Sequence, residues 1–118
     1  MKIEVNKING RLLDWCTDKV ANGDTSIIIP EYSTDWRYGG PLIERFSIML
    51  SGGGKSGEWY GYLGIADLNY IDLYPGRDDC DSFGPTPLIA VCRAVVISKF
   101  GKEIDIPENI IQLYEHID

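Results

Sequence analysis

A chain of 118 residues, 44% hydrophobic and 25% charged, has the size and make-up of a single domain spanning residues 1–118, and needs neither metal nor disulfide to fold. Its net charge of −7 argues against direct nucleic-acid binding, because phosphate backbones are held by Lys and Arg that displace counterions. The imbalance sits in residues 58–118, which carry four basic and eleven acidic side chains, whereas residues 1–57 carry seven of each.

In chain order, Lys2 to Val5 alternates polar and apolar residues and predicts a short strand. A first helix is expected over Gly10–Asn22, with Leu12, Cys16 and Val20 on one face, Asn9 as N-cap and Gly23 as its stop. Ser26-Ile27-Ile28-Ile29 is β-branched, ends at Pro30 and predicts a strand. Tyr32 to Pro41 closes on Gly39-Gly40-Pro41 and reads as irregular backbone, with one helical turn opening at Pro41. Phe46, Ile48 and Leu50 alternate with polar or flexible neighbours as on a strand, and Glu58–Ile65 returns after a Ser51–Gly57 turn to form a hairpin. Asn69–Tyr74 suggests one more strand, and Pro75–Phe83 an acidic surface loop.

The second helix is the clearest element. Thr86 caps it, Pro87 fits its first position and Gly101 ends it, while Leu88 to Ile97 is apolar on nearly every face, the mark of a buried helix. Ile104 and Ile106 suggest an edge strand, and Pro107–His116 a terminal helix turning Ile110, Ile111 and Leu113 inward. The expected fold is α+β: a small, mainly antiparallel sheet with the buried helix of about 86–100 across it and the helix of about 10–22 beside that.

Three stretches carry a resemblance: Leu13-Asp14-Trp15, then Ser33-Thr34-Asp35-Trp36 with Gly39-Gly40-Pro41-Leu42-Ile43-Glu44, then Gly84-Pro85-Thr86-Pro87-Leu88-Ile89-Ala90. The third continues through Ser98-Lys99-Phe100-Gly101 to Ile106-Pro107-Glu108. In this order and spacing they resemble the NinX-like proteins of bacteriophages, and the stretch from about Leu68 to Phe83 is longer than that pattern. The resemblance implies a phage or prophage origin and action inside a bacterial host. It supplies context and no mechanism.

Several chemistries are disfavoured by spacing. Gly52-Gly53-Gly54-Lys55-Ser56 lacks the leading glycine of a phosphate-binding loop, since Met49 stands there, and a strand pattern follows where a helix is needed. Asp78-Asp79-Cys80-Asp81 fails calcium-loop spacing at Phe83. His116 is the only histidine, and Cys16, Cys80 and Cys92 are dispersed, so zinc, a catalytic triad and a thiolate nucleophile all lack support. No catalytic residue, metal site or cofactor is assigned. Three unpaired cysteines, no apolar signal core in Met1–Lys7 and no apolar run near ~20 residues point to a soluble protein of the host cytoplasm without a membrane partner.

The Tyr32–Glu44 segment remains. Asp35, Trp36, Arg37, Tyr38 and Glu44 combine aromatic, arginine and carboxylate groups typical of recognition surfaces. The structural alternative has Trp36 plugging the core and Asp35 bonding nearby amides. Arg93 interrupts the apolar helix, and a buried guanidinium there calls for a carboxylate, Asp35 or Glu44, unless its stripe reaches solvent. The preferred function is protein–protein contact with a host or phage protein, one form being an acidic decoy with the acids of residues 58–118 on one face. The alternatives are a small-ligand-binding protein or small enzyme with a pocket joining Asp35 or Glu44 to Arg93, and an oligomer-forming subunit with a large apolar interface.

Overall fold

A computed structural model describes residues 1–23, 27–52, 56–63 and 80–115. The elements run β1 (Lys2–Glu4), a 3-10 turn (Val5–Lys7), α1 (Gly10–Asn22), α2 (Trp36–Arg45), β2 (Met49–Gly52) and β3 (Trp59–Tyr62). Then come β4 (Ser82–Gly84), α3 (Pro87–Phe100), β5 (Glu103–Asp105) and α4 (Glu108–Glu115).

The organising element is α3. Pro87 occupies its first turn, where a missing N–H costs nothing, and the Thr86 hydroxyl accepts the Ile89 N–H at 3.2 Å. Every residue from Ala90 to Ile97 is buried. Helices α1 and α2 pack on α3, as do β3 and β4, so its lack of a polar face follows from having neighbours all round. Gly101 ends it with φ of 78°, its N–H bonding the Ile97 carbonyl at 2.9 Å.

The strands form two antiparallel sheets, both touching α3. In one, β2-β3-β4 pairs Met49 with Tyr62, Gly52 with Trp59, and Trp59 with Gly84. In the other, β1 pairs with β5, Lys2 opposite Asp105 and Glu4 opposite Glu103. The fold is thus α+β, with the expected hairpin, first helix and buried helix in place. Among the described residues no helix is long and apolar enough to cross a membrane.

Several local expectations need correction. Ile27 to Ile29 is not a strand; the Ile29 and Pro30 carbonyls are taken up by Arg11 instead. The segment before Pro41 is not irregular, because α2 begins five residues earlier. Asp35 caps it, Oδ1 accepting the Arg37 N–H at 2.9 Å, and Gly40 has no Cβ to clash with the Pro41 ring. Phe46 and Ser47 form a turn after α2, so the strand begins only at Met49. Ser82 and Phe83 belong to β4, not to a loop. Leu113 is exposed while Ile111 is buried, because an eight-residue helix turns only one side to the core. Asn9 holds the N-cap position of α1, but its side chain makes no cap bond and serves Arg93. The suggested strand at Asn69–Tyr74, the acidic residues Asp78 and Asp79, and His116 lie outside the described residues.

Candidate functional site

Helix α1 carries a buried polar network along one side. Asp14 and Asp18 are both fully buried. Arg11 donates from Nη1 to Asp14 Oδ2 at 2.9 Å and from Nη2 to the Ile29 carbonyl at 2.6 Å. Asp14 Oδ1 accepts the Ser33 N–H at 2.8 Å, and Asp18 Oδ1 accepts the Tyr32 hydroxyl at 2.8 Å. Two carboxylates one turn apart therefore hold the chain between Ile29 and Ser33 against α1, which fixes where α2 starts. The signal available in sequence was the Arg11–Asp14–Asp18 spacing, which lines these groups along one helix face.

On this base sits a cleft of about 280 Å³, lined by Ser33, Thr34 and Trp36 on one side and Thr86, Pro87, Leu88 and Ile89 on the other. Gly39 makes this junction possible. A Cβ there would lie 2.2 Å from the Tyr32 carbonyl oxygen and 2.8 Å from a Leu88 methyl, so α2 seats on Tyr32 and α3 only through glycine. The three sequence stretches noted above thus converge: Asp14 holds Ser33, Ser33–Trp36 forms one wall and Thr86–Ile89 the other. The Ser33 hydroxyl is buried, and the Ser33 side chain and N–H both favour the charged form of the Asp14 carboxylate.

Trp36 does not plug the core; it is 55% exposed at the lip of the cleft. Tyr38 is exposed as well, with the Arg37 guanidinium 5.7 Å from its ring centre. Asp35 is occupied as the cap of α2, and Glu44 is exposed in that helix's last turn. Arg93 stands apart from this group. It is only 4% exposed, and it donates from Nε to the Ile8 carbonyl at 3.0 Å, from Nη1 to the Phe83 carbonyl at 2.6 Å and from Nη2 to Asn9 Oδ1 at 2.6 Å. Among the described residues no ion pair joins it to Asp35 or Glu44. Three neutral oxygens, aimed by the 3-10 turn and β4, replace the expected carboxylate, and burial pushes the Arg93 pKa below its ordinary value.

Cys16 and Cys92 are buried free thiols, and burial pushes both up to about 12, so neither supplies a thiolate at neutral pH. Burial likewise raises the Asp14 carboxyl above its ordinary value, with Ser33 and Arg11 drawing it partway back. A carboxyl raised in the folded state binds its proton more tightly there than in the unfolded chain. Its linkage contribution to stability therefore falls as pH rises from the unfolded pKa through the raised one. In urea titrations at stepped pH, the stability of the wild type relative to Asp14→Asn should decline across that window; a rise would show the opposite shift.

The fold and the cleft define a small α+β domain with an aromatic-walled surface site beside the N-terminus of its buried helix. The chain belongs to the bacteriophage P22 NinX family, whose model matches residues 5–99. That match covers both walls of the cleft and the Asp14 network and stops near the end of α3, before β5 and α4. No curated protein matches the sequence.

Proposed function

We propose that this phage accessory protein acts in the host cytoplasm by protein–protein contact, through the first turn of α2 and the adjoining cleft. The observation that carries the reading is the exposure of Trp36 and Tyr38 on either side of Arg37, on a turn fixed by the Asp35 cap and the Asp14 network. Rigidly held aromatic and arginine side chains lose little entropy on binding, and they dominate the energetics of most protein interfaces. The acidic-decoy form requires the acids of residues 58–118 on one face, and Asp67, Asp72, Asp78, Asp79 and Asp118 lie outside the described residues.

A tagged pull-down from nuclease-treated host lysate tests the proposal. Wild type should recover a protein that Trp36→Ala loses. Trp36 is exposed, so the variant should keep its fold, with far-UV circular dichroism and melting temperature unchanged. Equal recovery by both would move the contact elsewhere. The second reading, a small polar ligand, is supported by the hydroxyl-bearing residues Ser33, Thr34 and Thr86 among the lining of the cleft. It gains ground if the pull-down is empty and a small molecule raises the melting temperature of the wild type but not of Trp36→Ala.

A further inference from the structure

Arg93 is a buried cation whose guanidinium ends on an Asn–Gly peptide. Its Nη2 donates at 2.6 Å to Oδ1 of Asn9, and Gly10 follows. Among the described residues Arg93 forms no ion pair, so three neutral oxygens alone meet its charge. Asn9 is exposed, and its amide nitrogen makes no hydrogen bond among the described residues. The Gly10 N–H is free among them as well, because it opens α1, where first-turn amides have no partner within the helix. With φ of 58° and no Cβ, Gly10 leaves that nitrogen unhindered.

We propose that Asn9 is a self-modification site, at which the Gly10 amide displaces ammonia from the Asn9 side chain while Arg93 stabilises the oxygen that becomes negative. The Gly10 nitrogen bonds to Cγ of Asn9 and gives its proton to water. The Cγ–Nδ2 bond then breaks, and Nδ2 takes up a proton and leaves into solvent as ammonia. Water opens the resulting five-membered imide, so one water is consumed and one ammonia released. In the tetrahedral intermediate the charge falls on Oδ1, the atom on which the guanidinium is already seated, as in an oxyanion hole. Opening at Cγ leaves an aspartate in an intact main chain; opening at the neighbouring carbonyl carbon leaves an isoaspartate. The aspartate gives Arg93 the carboxylate that its burial calls for. It does so at the N-cap position of α1, where a negative charge also suits the helix dipole. The reaction therefore tightens the tie between α1 and α3, and it is independent of the Trp36 surface.

A second Asn–Gly pair supplies the control. Asn22 and Gly23, at the end of α1, are exposed too, but Asn22 Nδ2 is held by Asp18 and the Tyr32 hydroxyl. Among the described residues no donor reaches the Asn22 amide oxygen, and the Asp18 carboxylate beside it opposes a second negative charge. Wild-type protein is incubated in mildly alkaline buffer, folded and unfolded in guanidinium chloride, and peptide mapping by mass spectrometry follows both sites. In the folded protein Asn9 should convert at least about tenfold faster than Asn22, part of the ~10²-fold or more that one oxyanion donor supplies in an enzyme. In denaturant the two rates should converge, since both sites then have only their shared Asn–Gly sequence. Equal rates in the folded protein, or a slower Asn9, overturn the proposal, as does a preference for Asn9 that persists in denaturant. Asn9→Asp tests the product. Its melting temperature should exceed that of the wild type at neutral pH, and the gain should be lost as falling pH protonates the carboxylate. A variant no more stable than the wild type at neutral pH overturns the pairing of that product with Arg93.

Discussion

Replacing Arg93 by methionine should lower the stability of the domain by about 2–3 kcal/mol, with a fall in melting temperature of roughly 10 °C. Methionine restores the volume of the aliphatic stem but removes the donors that Arg93 aims at the Ile8 carbonyl, the Phe83 carbonyl and Asn9 Oδ1. These oxygens come from the start of α1 and from β4, so Arg93 ties both to the buried helix. An orphaned buried acceptor carries a desolvation cost of about 1–3 kcal/mol, which falls in full on the Ile8 carbonyl and in part on the Phe83 carbonyl, whereas Asn9 is exposed and its amide can turn to water; the sum still exceeds the relief of removing a buried charge. Arg93→Lys should recover only part of the loss, because an ammonium lacks the planar fork that reaches three separate acceptors. Urea unfolding at unchanged m-value is the measurement. A loss below about 1 kcal/mol for the methionine variant would mean that those oxygens find other partners.

The second large effect is expected at Gly39. An added methyl group would stand 2.2 Å from the Tyr32 carbonyl oxygen, a backbone atom that cannot swing aside. Either α2 lifts away from Tyr32 and Leu88 or the Ile29–Ser33 segment is pushed against its anchors on α1. Overpacking typically costs about 1–3 kcal/mol, and a clash with backbone belongs at the upper end, so Gly39→Ala should lose about 3 kcal/mol. Trp36 fluorescence should change with it, since the indole sits one turn away at the cleft. Gly40→Ala is the comparison: outside its chain neighbours a Cβ there meets the Trp36 ring at 3.6 Å, an ordinary contact, so its cost is confined to crowding by the Pro41 ring and should be the smaller of the two. Equal stability of Gly39→Ala and Gly40→Ala would contradict the tight seat.

Where local sequence and tertiary packing agree, the fold was legible. Helix α3 has its cap, its first-turn proline and its terminal glycine in sequence, and its apolar surround announces burial. Helix α1 is bounded as expected by Asn9 and Gly23. Helix α2 was hidden because Gly39-Gly40-Pro41 is locally a helix-breaking string. Its glycine at position 39 serves close packing with Leu88 and Tyr32, a fact of tertiary structure. The isoleucine run erred the other way: its propensity is high, but no sheet edge among the described residues receives it.

The site was legible in part for the same reason. Trp36, Arg37 and Tyr38 stand at the surface, and Arg93 takes the buried one of the two placements its apolar neighbours left open. Its partners were unreadable, because two are backbone carbonyls and the third is a side chain that local rules assign to a helix cap. The burial of Asp14 and Asp18 had no local signal, because the Ile29–Ser33 segment that covers them lies more than ten residues away.

The β1–β5 ladder has a mechanical consequence. It joins residues 2–4 to residues 103–105, so nearly the whole chain lies between its two strands. A pull on the two ends of the chain reaches this three-pair ladder before the α3 core. In the antiparallel register, Lys2 and Asp105 sit at the loaded end and Glu4 and Glu103 at the far end. Tension therefore peels the pairs apart one at a time instead of shearing them together, and the domain should yield at low force from its ends while α3 and the helices around it stay packed.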